Sequence, residues 1–341
     1  MAHEMKRFEF VIASCGLILL SLSQSGCVHR DPRYAQVQTL YQHGLYREAL
    51  PIQIEIVKED KQLQRPESLK TVSSLVLLAN LYYETGDYTN AESLYLRELR
   101  INEMFLRPDH QNIADNLIVL ARLYQSMGEY VKSELLFQRA LKILEKNSGP
   151  EHQAIAKTLN NLAELYRTMG DCAKAEPLYE RALKITEKSL GSNHPTAAVI
   201  LHNQGLLYDT MGDYAKAEPL LQQALKIMEK TPGPDHPNTA NCLNDLALLY
   251  LDLRDYAKAE PLLQRALKIY EKARGLDHPD TANCLINLAG LYEDMRDNAK
   301  EEPLILRALE INGHVLGTNH PATATCRRES SSIWRRPIAA S

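Results

Sequence analysis

The chain has 341 residues, with 39 basic and 43 acidic side chains and a net charge of −4. That balance exerts no general pull on polyanions, so nucleic-acid binding is not expected. Hydrophobic residues make up 45% of the chain, enough for a continuous core, and the six cysteines form no CxxC or Cys/His spacing of a zinc site, so neither a metal nor a cofactor is expected.

Residues 1–27 differ from the rest. Lys6 and Arg7 precede an apolar run from Phe8 to Leu22 that is too short and too polar to span a bilayer comfortably. It reads as an export signal. Cys27 follows Gly26 and resembles a bacterial lipoprotein box, with Gln24 where that box prefers Leu. Two outcomes stay open: lipidation at Cys27, or cleavage or retention without a lipid. Export would place the protein on the periplasmic side of a bacterial membrane, held by this anchor. If the segment is not a signal, the location is cytoplasmic.

Residues 28–70 hold a linker and a degenerate unit, Leu40-Tyr41-x2-Gly44-x-Tyr46-x2-Ala49, expected to cap an array that begins at residue 71. From 71 to 321 the sequence repeats every 42 residues, six times. His110, His152, His194, His236, His278 and His320 mark one register; Tyr82, Tyr124, Tyr166, Tyr208, Tyr250 and Tyr292 mark another. A fixed period of this size means one supersecondary unit stacked on copies of itself, which offers a long surface rather than a preformed catalytic centre. No Gly-rich phosphate loop, HExxH or nucleophile elbow appears, so no catalytic residue is expected.

Within one unit, Ile155, Leu159, Leu162, Ala163 and Tyr166 fall on one helical face. Gly170-Asp171 should end that helix and open the next, and Ala175, Leu178, Tyr179, Ala182 and Leu183 make a second apolar stripe. Each unit is therefore a helix hairpin. The histidines, each in a separate loop and several before Pro, point to helix caps rather than metal ligands. Pro177, Pro219, Pro261 and Pro303 lie about one turn inside the second helix, where a lost hydrogen bond or slight kink is expected. Glu176, Glu218, Glu260 and Glu302 recur in register and read as a solvated helix face. Equivalent helices of neighbouring units should lie roughly 8–10 Å apart, beyond disulfide reach, so Cys242, Cys284 and Cys326 are expected as buried thiols.

The phrases Leu159-Asn160-Asn161-Leu162-Ala163-x2-Tyr166 and Glu176-Pro177-Leu178-Tyr179-x2-Ala182-Leu183 resemble the tetratricopeptide repeat, in the longer form of kinesin light chains and their bacterial relatives. The resemblance implies an all-α, right-handed superhelical solenoid whose first helices line a concave groove. It places Asn160, Asn161, Arg167, Asn203, Asp209, Asn244, Asp245, Asp252, Asn287, Glu293 and Asp294 on that groove. It further implies that the Asn161 position can hold a peptide backbone. That position reads Leu77, Val119, Asn161, Asn203, Asp245 and Asn287 along the chain, so its polar ladder exists only in the last four units. Arg122, Lys157 and Arg167 precede the acidic residues, so the C-terminal repeats should favour a basic or amide-rich segment.

The implied function is a non-catalytic scaffold that takes a peptide segment or partner protein in the groove. The alternatives are an envelope assembly or secretion accessory lipoprotein, and the substrate-binding subunit of a separate enzyme. Kinesin-like cargo transport is not implied, because the heptad coiled coil is missing. Residues 322–341 begin a seventh unit and then turn Arg- and Ser-rich, so the last helix pair is left without an evident cover. Fraying, self-association through that end, or a truncated reading frame each fit.

Overall fold

A computed structural model describes residues 31–59, 72–149, 151–318, 320, 323, 324, 326 and 327. The expected export signal at residues 1–27, with Cys27, and most of the C-terminal tail lie outside the described residues. Among the described residues are fourteen helices and no strand. The degenerate unit supplies α1 (Arg33–Gln42) and α2 (Tyr46–Glu59). The next three hairpins are α3 (Val72–Glu84) with α4 (Tyr88–Phe105), α5 (Gln111–Ser126) with α6 (Tyr130–Ser148), and α7 (Gln153–Thr168) with α8 (Cys172–Leu190). After them come α9 (Pro195–Thr210) with α10 (Tyr214–Lys230), α11 (Pro237–Asp252) with α12 (Tyr256–Ala273), and α13 (Pro279–Asp294) with α14 (Asn298–Val315). Each helix packs on the one before and the one after, so the chain is a solenoid of antiparallel hairpins. None of these helices is long and apolar enough to cross a membrane.

The boundaries arise from local chemistry. Asp171, Asp213, Asp255 and Asp297 each accept a hydrogen bond from the backbone N–H three residues on, at 3.3 Å. Glu129 holds the same place before α6 and makes no such cap, its longer side chain being a poor fit. Each first helix from α5 to α13 begins with a histidine whose Nδ1 accepts from the N–H two residues on, for example His194 from Thr196 at 3.1 Å. The five histidines from His110 to His278 are thus helix caps, as expected. An accepting Nδ1 requires the neutral ring.

The turn between the two helices of a unit needs a left-handed residue. Gly170 supplies it at φ 78°, but Arg254 and Arg296 occupy the same place at φ 58° and 60°. The proline-bearing second helices run through Pro177, Pro219, Pro261 and Pro303 without a break. Proline has no N–H, so the carbonyl four residues earlier, Ala173 in α8, loses its helical partner.

The alanines sit where helices approach most closely. Ala163, Ala175 and Ala182 have no exposed surface, and Tyr179 fills the space between them. Cys242, Cys284 and Cys326 are buried free thiols, as expected.

Units are joined by bonds of constant sequence offset. Tyr124, Tyr166, Tyr208, Tyr250 and Tyr292 of the first helices donate to Glu92, Glu134, Glu176, Glu218 and Glu260 of the preceding second helix, at 2.5–2.7 Å. This corrects the expectation of a solvated carboxylate face: Glu176, Glu218 and Glu260 are half-buried acceptors between units. Over each of the five rings lies a lysine of the same unit, such as Lys216 at 4.8 Å from the Tyr208 centroid. Burial, and then the glutamate, pushes the Tyr208 hydroxyl up to about 12. On the outside, Arg139, Arg181, Arg265 and Arg307 reach back to Glu103, Glu145, Glu229 and Glu271 of the previous second helix at 2.6–2.8 Å.

The two ends of the array meet. One hydrophobic cluster contains Val37, Tyr41 and Ala49 of the first hairpin together with Leu285 of α13 and Ile311 of α14. The turn at Gly44 lies against His278 and Pro279, and the turn at Gly86 lies against His320. After between five and six units the chain has come round onto its own start. The last helix pair, for which the sequence offers no cover, is closed by the first hairpin and by the buried Cys326. His278 is left 4% exposed by this contact. Burial, aided by Arg274 and His43, pushes its pKa down to about 3.

Arg254→Gly and Arg296→Gly should each stabilise the fold by about 1 kcal/mol, because glycine takes the left-handed turn without the Cβ penalty; unchanged denaturant midpoints would contradict this. His278 is neutral when folded and protonates near pH 6.5 when unfolded. Its contribution is complete above about pH 6.5 and drains away as pH falls toward 3. Between pH 7 and pH 5 the wild type should lose about 2 kcal/mol relative to His278→Asn, which caps without titrating. Parallel stability curves for the two proteins would refute that role.

Candidate functional site

The solenoid curves toward its first helices. Successive first helices touch directly, whereas successive second helices do not come as close and are linked by long Arg–Glu pairs. The first helices therefore line the inner face. Their bonds to one another share an offset one residue longer than the repeat. Tyr41 pairs with Glu84 at 3.1 Å, Gln125 with Thr168 at 3.2 Å, Arg167 with Thr210 at 3.3 Å, and Asn203 with Asn160 at 3.0 Å. Each helix is thus staggered slightly against the next.

This ladder occupies many of the residues assigned to the groove. Asn160, Arg167, Asp209, Asn244, Asp245 and Asn287 are all buried. Arg167 forks onto Glu164 at 2.6 and 3.0 Å. Burial opposes charge on Glu164, but Arg167, with help from Tyr179, outweighs it and holds the carboxyl below its usual range. Asn244 has no exposed surface; it accepts from Asn287 at 2.9 Å and donates to Asp245 at 3.1 Å. Asp245 also meets His202 Nε2 at 2.7 Å. Burial works against charge on His202, but Cys242 and Asp245 beside the ring outweigh it and raise its pKa. The cluster His202, Asn244, Asp245 and Asn287 is a polar seam through α9, α11 and α13 that fixes their spacing.

The accessible part of the inner face is a narrower stripe. On α7 it comprises Lys157, Asn161, Glu164 and Thr168; on α9, Val199, Asn203, Leu206 and Thr210. Further on, Asp252 is half-buried, and Glu293 and Asp294 are exposed at the end of α13. The Asn161 carboxamide has no hydrogen-bond partner among the described residues. Asn203 gives one N–H to Asn160, which leaves its carbonyl and a second N–H toward the groove. In the first repeat, Leu77 holds the Asn161 position and is buried in the cluster that joins the chain ends.

His202 is the main residue that the sequence did not point to. It stands at the Asn160 position of its unit, and its partner Asp245 lies one residue past the next equivalent place. A search for complementary polar pairs at that offset would have found it, along with Arg167–Thr210 and Asn160–Asn203. The offset itself comes from the stagger of helices and is not visible in one repeat.

The tetratricopeptide repeat family model matches residues 70–146, 154–230, 210–272 and 244–312, and a second model of the same description matches residues 34–103. Comparison with the curated proteins finds no match. Among solved structures, BtubC (BKLC) from P. vanneervenii is similar, with 24% identity over 69% of this chain and 92% of that one and a TM-score of 0.50. A Podosopora anserina kinesin light chain protein with nearly identical repeats has 26% identity over 58% of this chain and 94% of that one, also with a TM-score of 0.50. A Rap protein complexed with Competence and Sporulation Factor shares the fold, with a TM-score of 0.57 at 15% identity over 88% of this chain and 96% of that one. Hairpins closed mostly by glycine turns, alanines at most of the close approaches and these matches over most of its length agree: the chain belongs to the tetratricopeptide repeat family.

Proposed function

We propose that the protein is a non-catalytic interaction scaffold that holds an extended peptide segment of a partner along the inner faces of α7, α9, α11 and α13. The observation that carries this reading is the open amide pair Asn161 and Asn203 on a face otherwise knitted shut by its own bonds. A carboxamide can donate and accept at once, which matches the alternating donors and acceptors of an extended backbone. Neighbouring polar groups are held in fixed rotamers by the seam behind them, so little side-chain freedom is lost on binding.

Asp252, Glu293 and Asp294 make the C-terminal end of the stripe acidic, which favours a basic segment there. Asp209 and Asp245, buried in the ladder, would act through the helices they hold rather than by touching the partner. The first 27 residues, with the apolar run and Gly26-Cys27, support an exported protein tethered at the periplasmic side of a bacterial membrane.

Affinity capture from native membranes, followed by titration of the captured segment, tests this reading. Asn161→Ala should weaken binding about tenfold, the loss of one or two good hydrogen bonds, while leaving thermal stability unchanged. Equal capture by wild type and variant would move the interface off the inner face. Asp252→Lys with Glu293→Lys should abolish the salt dependence of binding a basic segment. An unchanged salt slope would remove the acidic end from the site.

A further inference from the structure

The turns that join the two helices of each unit all lie along one edge of the solenoid, and the loops that join successive units lie along the other. The chain stacks these edges on each other where it has completed a superhelical turn. A Cβ placed at Gly44 would meet His278 and Pro279 at 2.7 and 2.8 Å, and one at Gly86 would meet His320 at 2.9 Å. The same test at Gly128, Gly170 and Gly212 finds nothing within 4 Å. Among the described residues, those later turns present the same backbone to open space.

The side chains differ in the same way. Before the two covered glycines stand His43 and Thr85. Before the uncovered turns stand Met127, Met169, Met211, Leu253 and Met295, each 37–49% exposed. Five large apolar side chains in register along one rim are not a random scatter of surface hydrophobics. Methionines adapt readily to a partner surface. The opposite rim also carries apolar residues at the ends of the second helices: Phe105 is 51% exposed and Leu190 37%.

We propose that a second copy of this chain docks its loop edge onto the methionine-bearing turn edge of the first, continuing between molecules the stacking that the chain already makes with itself. The occupant is argued from continuity. The covered and uncovered turns belong to one rim. On another copy the loops that begin α5, α7 and α9 are equivalent to the one that covers Gly44, and their His110, His152 and His194 are half-buried or exposed rather than buried. The contact is heterologous, with two different rims meeting, and the superhelical screw that relates them does not close. Association is therefore open-ended. It uses the rims and leaves the inner face free, so it stands or falls separately from peptide binding.

Sedimentation velocity of the full-length chain across a concentration series tests the inference, with three proteins. Wild type should grow from monomer to dimer and beyond. Met169→Lys/Met211→Lys breaks the turn edge, and Phe105→Lys/Leu190→Lys breaks the loop edge. All four positions are exposed, so circular dichroism and melting should match wild type. Each variant alone should remain monomeric over the range in which wild type associates. An equimolar mixture should form a dimer and stop there, because one good edge of each kind remains. A wild type that stays monomeric at ~100 μM, where contacts of ordinary affinity are populated, overturns the proposal. So does either variant that associates as wild type does, or a mixture that fails to pair.

Discussion

The tyrosine that reaches back from each first helix to a glutamate of the unit before it is the contact on which the array depends. Its ring is held between a lysine of its own unit and the neighbouring core, and its hydroxyl is spent on a carboxylate across the junction. A hydrophobic interface alone would let adjacent hairpins slide and rotate, since apolar contact is not directional. One short, charge-assisted bond per junction fixes the angle. The same small rotation at every step carries the chain through a full superhelical turn in between five and six units. The inner ladder, the outer Arg–Glu pairs and the meeting of the ends all inherit that angle. Where the sequence departs from the pattern, the bond is lost: the glutamate's place before Tyr82 is taken by Leu50.

What is legible in the sequence is what depends on one unit. Gly170, Asp171 and His194 announce turn and caps because their chemistry acts within three residues. The apolar stripes of α7 and α8 announce a hairpin for the same reason. What is not legible depends on how units sit against each other. Glu176 looks like any exposed helical carboxylate until Tyr208 is known to lie within reach. Asn160 and Asn203 look like two members of a groove-lining ladder, yet one donates to the other. The sequence places both on the inner face, but the tightness of the curve decides which is spent on structure. The C-terminal end looks uncovered for a similar reason: its cover lies more than two hundred residues away, brought there by an accumulated rotation that no single repeat displays.

The inner face divides polar residues between two tasks. A buried seam through His202, Asn244, Asp245 and Asn287 sets the spacing of three helices. An outer stripe through Lys157, Asn161 and Asn203 faces the groove. The division has a physical basis: a polar group removed from water must be bonded, while one at the rim can wait for a partner. Specificity then resides in few residues, with many others holding them in place. A scaffold built this way can change its ligand through substitutions at the stripe without disturbing the seam.

The contact between the chain's two ends changes what kind of object the array is. A stack in which every unit touches only its neighbours behaves as a line, and a line melts from its tips. Here the first hairpin is also a neighbour of the last, through Tyr41 and Ala49 on one side and Leu285 and Ile311 on the other. Neither tip can loosen without uncovering the other. The weakest points of an ordinary repeat protein are thereby tied together, and resistance to unravelling, usually a matter of capping sequence, becomes a matter of repeat number. An array one or two units shorter would fall short of its own start and regain two independent, fraying ends.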